Sequence, residues 1–314
     1  DQNVLLVGCG RWGKVILKEI YTNFKNINKI YVLTKFSKNL RKFAKNNNIK
    51  KLIIIKNLKK VKKLNCKHAI IVKKNNFHFH FTKKLLLSNF NILVEKPFVG
   101  EVKQAKYLIN LSKKNNLHLF ISLPFLYGYY FHYIRDKLIK KQHVKALKFF
   151  WYDKPFEFRY NSIKQFDKKI SFLEDVFYHI FSISNIFFGK GNFSFPEKEF
   201  NLGKRQLITG VYKKRKVIIN CSRNMPKRKR ILEICLSNNK KIIINFSKNV
   251  IVKVMGKKRL LASEKNSKTL KYQLFRFLNL NLYKDKSCPN DVRNLNHLFL
   301  SLNLLKKKLI KIKN

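Results

Sequence analysis

In the stretch Asn3-Val4-Leu5-Leu6-Val7-Gly8-Cys9-Gly10-Arg11-Trp12-Gly13-Lys14-Val15-Ile16-Leu17-Lys18-Glu19-Ile20, an unbroken apolar run meets a turn with three glycines and then a helical pattern. Residues 3–7 read as a buried parallel strand, because a strand covered on both faces shows no polar alternation. Ile16, Leu17 and Ile20 recur at helical spacing after Gly13. Strand, G-x-G-x-x-G and helix in that order form a dinucleotide-binding fingerprint. Gly8 permits the tight turn, Gly10 lets the backbone approach a pyrophosphate, and Gly13 lets the helix pack close to the strand. The helix N-terminus, with Arg11 and Trp12 beside it, then faces the phosphates. Glycine is scarce, ten in 314 residues, so three of them within positions 8–13 carry weight.

Further along, Lys29–Leu33 reads as a second strand. Its end lies about 20 residues past the glycines, where an NAD site places an acid on the ribose 2′-hydroxyl. The chain has Thr34-Lys35-Phe36-Ser37-Lys38 there, and no acidic residue between Glu19 and Glu95. Thr34, Lys35, Ser37 and Lys38 could instead hold a 2′-phosphate. NAD and NADP both stay open, with NADP favoured. Leu52–Ile55, Ala69–Val72 and Ile92–Val94 are further strand candidates, separated by helix-like segments. This alternation implies a doubly wound parallel sheet, in which ligands bind beyond the carboxyl ends of the strands. Those ends carry Lys73-Lys74-Asn75-Asn76-Phe77-His78 and Glu95-Lys96-Pro97. Pro97 biases Lys96 toward an extended backbone, and Glu95 could hold the chain there by ion pairing.

Composition bounds the rest. The length favours two domains of roughly 100–200 residues. A hydrophobic content of 45% and an aromatic content of 14% supply a core and argue against disorder. The net charge of +54 comes from lysines spread between Lys14 and Lys313. That spread reads as a chain-wide bias toward solvated lysines, so no specific nucleic-acid partner is expected. A polyanion-binding protein is the reading from a different class, and such a surface also favours an anionic substrate. Cys9, Cys66, Cys221, Cys235 and Cys288 lie far apart without a C-x-x-C pair, which fits a reducing cytoplasm. No apolar run approaches the ~18–20 residues of a membrane span. No His/Cys/Asp/Glu set has metal-site spacing, so no metal is expected. The chain opens on Asp1 rather than Met, so a trimmed start is expected, without a signal-peptide layout.

With the glycine fingerprint, the strand-end Asn75 followed by His78, and Leu93-Val94-Glu95-Lys96-Pro97-Phe98 together, the sequence resembles the Gfo/Idh/MocA family of NAD(P)-dependent oxidoreductases. In that family the lysine of the E-K-P tripeptide reaches the nicotinamide and the substrate. The resemblance therefore implies that Asn75, His78, Glu95 and Lys96 border the cofactor. The family usually has Thr-Pro-Asn where this chain has Lys73-Lys74-Asn75.

In the second half, Gly100–Asn116 reads as a helix, Leu117–Leu123 as a strand, and Pro124 as the linker into a second domain. The domains expected are thus 1–122 and 123–314. Tyr127–Lys141 reads as one connecting helix and Val144–Tyr152 as a strand. Gln206–Val211, Lys216–Asn220, Ile231–Leu236, Lys241–Phe246 and Val250–Met255 read as strands of an antiparallel sheet. Leu270–Leu282 and Val292–Ile312 return to helical spacing. This layout is similar to the family's C-terminal α+β domain. Asp175 and His179, in Ser171-Phe172-Leu173-Glu174-Asp175-Val176-Phe177-Tyr178-His179, share one helix face. A carboxylate beside an imidazole suits an acid–base group, and the segment resembles the family's D-x-x-x-H motif, which lines the substrate pocket. A glycine pair common in the family is replaced by Ile170 and Ser171. Tyr127, Tyr129, Tyr130 and His132 fall where the family approaches its substrate, and a structural aromatic cluster fits them as well. His80 reads as a packing or surface group.

The function expected is hydride transfer between a nicotinamide cofactor and a hydroxyl/carbonyl of a sugar or sugar derivative, a nucleotide sugar included. His179 would move the proton, Asp175 orient it, and Lys96 hydrogen-bond the reacting oxygen. The alternative is a non-catalytic dinucleotide-binding sensor or partner subunit of the same fold. The resemblance implies a homo-oligomer.

Overall fold

The computed structural model describes residues 2–139, 144–156, 158–159, 162–163, 170–196, 200–201, 206–247, 249–254, 257–265, 267–280 and 289–313. Lys140, Lys141, Met255, Leu282 and Cys288, on which some expectations fall, lie outside the described residues. The chain divides into two compact units, 1–122 with 271–295 and 123–270 with 296–314.

The first unit holds six parallel strands: β1 (Gln2–Val7), β2 (Ile27–Leu33), β3 (Leu52–Ile55), β4 (His68–Ile71), β5 (Asn91–Val94) and β6 (Leu119–Ile121). Helices α1 (Arg11–Asn23), α2 (Ser37–Asn46), α3 (His78–Leu86) and α4 (Val102–Lys114) connect them. Val4, Leu5, Leu6 and Val7 are all fully buried, as consecutive residues of a strand covered on both faces must be. The strand order is β3-β2-β1-β4-β5-β6, so the winding reverses between β1 and β4. This is the doubly wound Rossmann sheet expected, and a dinucleotide lies across such a reversal.

Of the stretch expected as 123–314, the described residues 271–280 and 289–295 group with the first unit. The physical reason is the free edge of β6. Asn290 donates its side-chain amide to Ile121 O at 3.0 Å and accepts the Ile121 N–H at 3.0 Å. Phe120 forms a bridge with Asp291. The Asp291 carboxylate, fully buried, accepts from the Arg293 guanidinium and backbone N–H, with His118 at 3.6 Å.

The second unit carries a mostly antiparallel sheet whose main strands are β7 (Val144–Tyr152), β12 (Gln206–Tyr212), β13 (Arg215–Ser222), β14 (Lys229–Leu236), β15 (Lys241–Asn245), β16 (Asn249–Val254) and β17 (Lys257–Lys265). Short β10 (Phe193–Ser194) and β11 (Phe200–Asn201) pair with β12, whereas β8 (Phe158–Arg159) and β9 (Ser162–Ile163) form a separate two-stranded sheet. β7 lies between β13, to which it is parallel, and β14, to which it is antiparallel. Helix α6 (Phe172–Phe188) packs on this sheet, and α7 (Asn296–Lys313) packs against α6. The single helix expected over 127–141 is instead broken into a 3₁₀ turn (Pro124–Tyr127), a short α5 (Tyr129–Tyr133) and a π-helical turn (Ile134–Ile139). Gly128 separates the first two. The adjacent rings of Tyr130 and Phe131 are both buried against Phe246, a demand that one continuous amphipathic helix does not meet.

Candidate active site

The glycine turn follows β1 directly. Gly8 has φ +97°, a conformation L side chains rarely adopt, and a Cβ there would lie 2.8 Å from Val72 O. A Cβ on Gly13 would lie 2.6 Å from Gly8 O, whereas one on Gly10 would meet nothing within 4 Å. The turn is thus closed behind and open in front. Gly10 caps α1 with extended backbone and no side-chain hydrogen bond. The first-turn N–H groups, at half-buried Arg11 and Trp12, therefore point where an anion fits. A pyrophosphate suits this cradle.

Thr34 is buried at the end of β2, and its hydroxyl accepts the Phe36 N–H at 3.1 Å. Lys35 and Lys38 are exposed. The Lys73 amine is lowered from its ordinary value by burial and by the charge on Lys35. Lys35 and Lys73 therefore share one neighbourhood past the strand ends. Asn75 opens a 3₁₀ turn after β4, and its buried Oδ1 has no partner among the described residues. An orphaned acceptor there fits a ribose or amide donor.

Two clamps frame Lys96. The first is Glu95, which accepts the Trp12 indole N–H at 2.7 Å. Burial raises its carboxyl above the ordinary value, against the opposing effect of hydrogen bonds from Ser122 and Trp12 and the charge on Lys96. The Ser122 hydroxyl in turn accepts from Gln273 Nε2 at 3.1 Å. The expected ion-pairing role of Glu95 is therefore shared with an indole and a hydroxyl. The second clamp is His78, only 1% exposed. Its Nδ1 lies 2.7 Å from Pro97 O and 3.1 Å from Phe98 O, and its Nε2 lies 2.9 Å from Lys73 O. The ring faces backbone carbonyls on both sides, so His78 ties the loop after β4 to the loop after Lys96. Burial lowers its imidazole, with those carbonyls acting the other way. Lys96 itself is half-buried.

In the second unit, Ser171 caps α6 by accepting the Glu174 N–H at 3.1 Å. The Ser171-x-x-Glu174 spacing is a capping signal that the sequence already displays. Asp175 lies 3.5 Å from Arg223 Nη2, and that guanidinium sits 4.8 Å from the Phe172 ring centroid. Glu174 pairs with Lys306 at 2.8 Å. His179, one turn beyond Asp175, stacks on Trp151 at 5.2 Å and meets Phe125 edge-on at 5.0 Å. Tyr130 is a core residue at 1% exposure, Tyr129 is exposed beside Tyr133, and His132 bonds Leu126 O at 2.9 Å. His80 is exposed against Phe81. Sequence reasoning missed Trp151, Arg223, Ser122 and Gln273, whose partners lie far away along the chain.

A family model described as "Oxidoreductase family, NAD-binding Rossmann fold" matches residues 2–123. Among curated proteins nothing matches the chain. A dehydrogenase (MviM) from Clostridium difficile is similar in structure, with 14% identity, a TM-score of 0.77, and 98% of this chain and 99% of that one covered. A UDP-N-acetylglucosamine 3-dehydrogenase (GnnA) from Acidithiobacillus ferrooxidans has 11% identity, a TM-score of 0.70, and coverage of 98% and 95%. A biliverdin reductase from Synechocystis, solved with biliverdin and NADP+, has 14% identity, a TM-score of 0.69, and coverage of 98% of both chains. At these identities the likeness establishes the fold.

Proposed function

We propose that this chain, an oxidoreductase that belongs to the Gfo/Idh/MocA family through its NAD-binding Rossmann domain, passes hydride between NADP and a hydroxyl/carbonyl of a sugar-type substrate. The dinucleotide supplies the hydride chemistry when bound; the chain binds it, orients it and handles the proton. The Gly8–Gly13 turn and the α1 N-terminus hold the pyrophosphate. Thr34, Lys35 and Lys38 hold the 2′-phosphate, and Asn75 Oδ1 takes a donor from the nicotinamide half. Lys96 hydrogen-bonds the reacting oxygen and stabilises its developing charge. His179 moves the hydroxyl proton, with Asp175 orienting it.

The observation that carries this reading is the cradle at Gly10, open in front, with the Lys73 side chain 3.3 Å from where a Cβ on Gly8 would stand. A reducing cytoplasm belongs to the same reading, from cysteines that lie far apart along the chain without a C-x-x-C pair. Self-association through the outer face of the second sheet belongs to the same reading, and half-buried Ile218, Ile231, Ile243 and Ile251 there support it.

The test supplies NADPH or NADH, deuterated at the transferable position, with a panel of keto nucleotide sugars, and NADP+ or NAD+ with hydroxy nucleotide sugars deuterated at the carbinol carbon. UDP-N-acetylglucosamine is the first probe for the oxidative direction. NADPH should bind more tightly than NADH, and label should reach one panel member. Lys96→Met and His179→Ala should lower turnover by about 10²–10⁴ while dinucleotide affinity holds. Equal loss of dinucleotide binding in both variants would overturn their roles. Binding without transfer to any member would favour the non-catalytic sensor.

A further inference from the structure

Trp151, at the end of β7, is 4% exposed and takes part in an unusual stack. The His179 imidazole lies on it with centroids 5.2 Å apart and 16° between the planes. The Arg230 guanidinium lies 4.3 Å from the same indole. Phe125 and Phe246 meet the indole at 88° and 66°. Arg230 sits opposite Trp151 in the β7–β14 register, so both side chains leave the same face of the sheet. Arg230 is itself 4% exposed and pairs with the Asp153 carboxylate, which is 1% exposed. It also donates to Tyr152 O at 2.6 Å and Lys229 O at 2.7 Å.

An ion pair in this place is costly. Desolvation costs several kcal/mol per ion, and apolar residues of similar volume often replace such a pair without loss of stability. The surroundings, Phe125, Tyr130, Phe131 and Phe246, already supply an apolar cluster. The pair therefore calls for a role other than holding the fold. Helix α6 fixes where His179 starts but not the plane of its ring, because the terminal torsion of histidine is broad. A flat neighbour can fix that plane. The guanidinium holds the indole through a cation–π contact, and the indole holds the imidazole.

We propose that Trp151, backed by the buried Asp153–Arg230 pair, is a positioning residue that sets the plane of the His179 imidazole for proton transfer. This rests on the reading that His179 moves the proton, and the experiment separates the two.

The full chain, saturated with NADP+ and labelled at its eight histidines, is followed by NMR, with His179→Gln identifying the His179 ring signal. In the wild type the indole ring current displaces that signal upfield. Trp151→Leu should abolish the displacement, and Trp151→Phe should restore most of it. The double variant Arg230→Met/Asp153→Leu should keep its melting temperature and yet move the His179 signal while the other histidines stay in place. With whichever sugar accepts label, Trp151→Leu should lower kcat by about 10²-fold with KM unchanged, the effect of a misplaced reacting group. A His179 signal indifferent to Trp151→Leu and to the double variant overturns the proposal. So does a double variant in which all histidine signals collapse along with the melting temperature, since the pair would then only hold the fold. If Trp151→Leu does not fold, Trp151→Phe and the double variant decide. Full turnover in His179→Ala would sink the proton-transfer reading alone, because the ring signal reports the platform without any turnover.

Discussion

Replacing Gly13 and Gly10 by alanine, one at a time, should separate packing from binding within a single turn. At Gly13 the new Cβ would lie 2.6 Å from Gly8 O and 3.3 Å from Gly8 C. Both are backbone atoms of a buried turn, so α1 must move back by several tenths of an ångström. Overpacking of this kind costs about 1–3 kcal/mol, and the rigid neighbour argues for the upper end. Alanine regains up to about 1 kcal/mol of helix propensity, leaving a net loss of about 2 kcal/mol. For a unit of roughly 150 residues that lowers Tm by about 4–8 °C. At Gly10 nothing lies within 4 Å of the added Cβ, so the cost without ligand is the weaker capping of alanine, below about 1 kcal/mol. The methyl group instead stands where a pyrophosphate would approach. Overpacking of about 1–3 kcal/mol against the ligand weakens binding by about 5–150-fold. Calorimetry of the ligand-free protein and NADPH fluorescence titration read the two effects. A Gly10→Ala variant that binds NADPH like the wild type would refute the cradle. A Gly13→Ala variant that melts like the wild type would refute the packing argument.

Glu95 has a native carboxyl value raised above the ordinary 4.5, so the native state holds that proton more tightly than the unfolded chain. The stability it lends is full below the unfolded value and is lost as pH rises through the raised one. Urea midpoints of the wild type should fall across that window, and Glu95→Gln should flatten the fall. Asp291 behaves oppositely. Burial raises it, but its bonds with His118 and Arg293 hold it below the ordinary 3.8. Its contribution is present above the unfolded value and is lost as pH falls through the lowered one. Arg293→Met, which strips a partner from a buried carboxylate, should cost about 3 kcal/mol and move acid unfolding to higher pH; denaturant melts between pH 2 and 7 would check both. Lys35→Glu should weaken NADPH about tenfold or more while sparing NADH, and an unchanged ratio of the two affinities would remove Lys35 from the 2′-phosphate site.

The parallel sheet was legible because its signals are local. Leu52–Ile55 falls where the apolar run predicts it, and the other Rossmann strands lie within two residues of expectation. The glycine turn was legible for the same reason, as was the Asp175/His179 face of α6. Other features depend on partners that no local pattern names. Asn290 and Gln273 look like ordinary polar residues until their bonds to Ile121 and Ser122, 169 and 151 positions away, are known. Trp12 is read as lying beside the phosphate-facing helix N-terminus, and no local pattern announces that its indole also meets Glu95, 83 positions away. His78 is expected to border the cofactor, and no local pattern announces that its buried ring nitrogens face the carbonyls of Pro97 and Lys73. The parallel pairing of β7 with β13 was also hidden, because hairpin spacing predicts only antiparallel neighbours.

The return of Asn290 and Asp291 to the edge of β6 has a consequence for biosynthesis. When the ribosome has released residue 122, the nucleotide-binding unit has all six strands but not its edge guard. At about 5–20 residues per second, Asn290 and Asp291 follow only on the order of ten seconds or more later. Throughout that interval the nascent sheet presents an open strand to any neighbouring polypeptide, so chaperone dependence should concentrate there, and truncated translation products ending before Asn290 should be the species that aggregate.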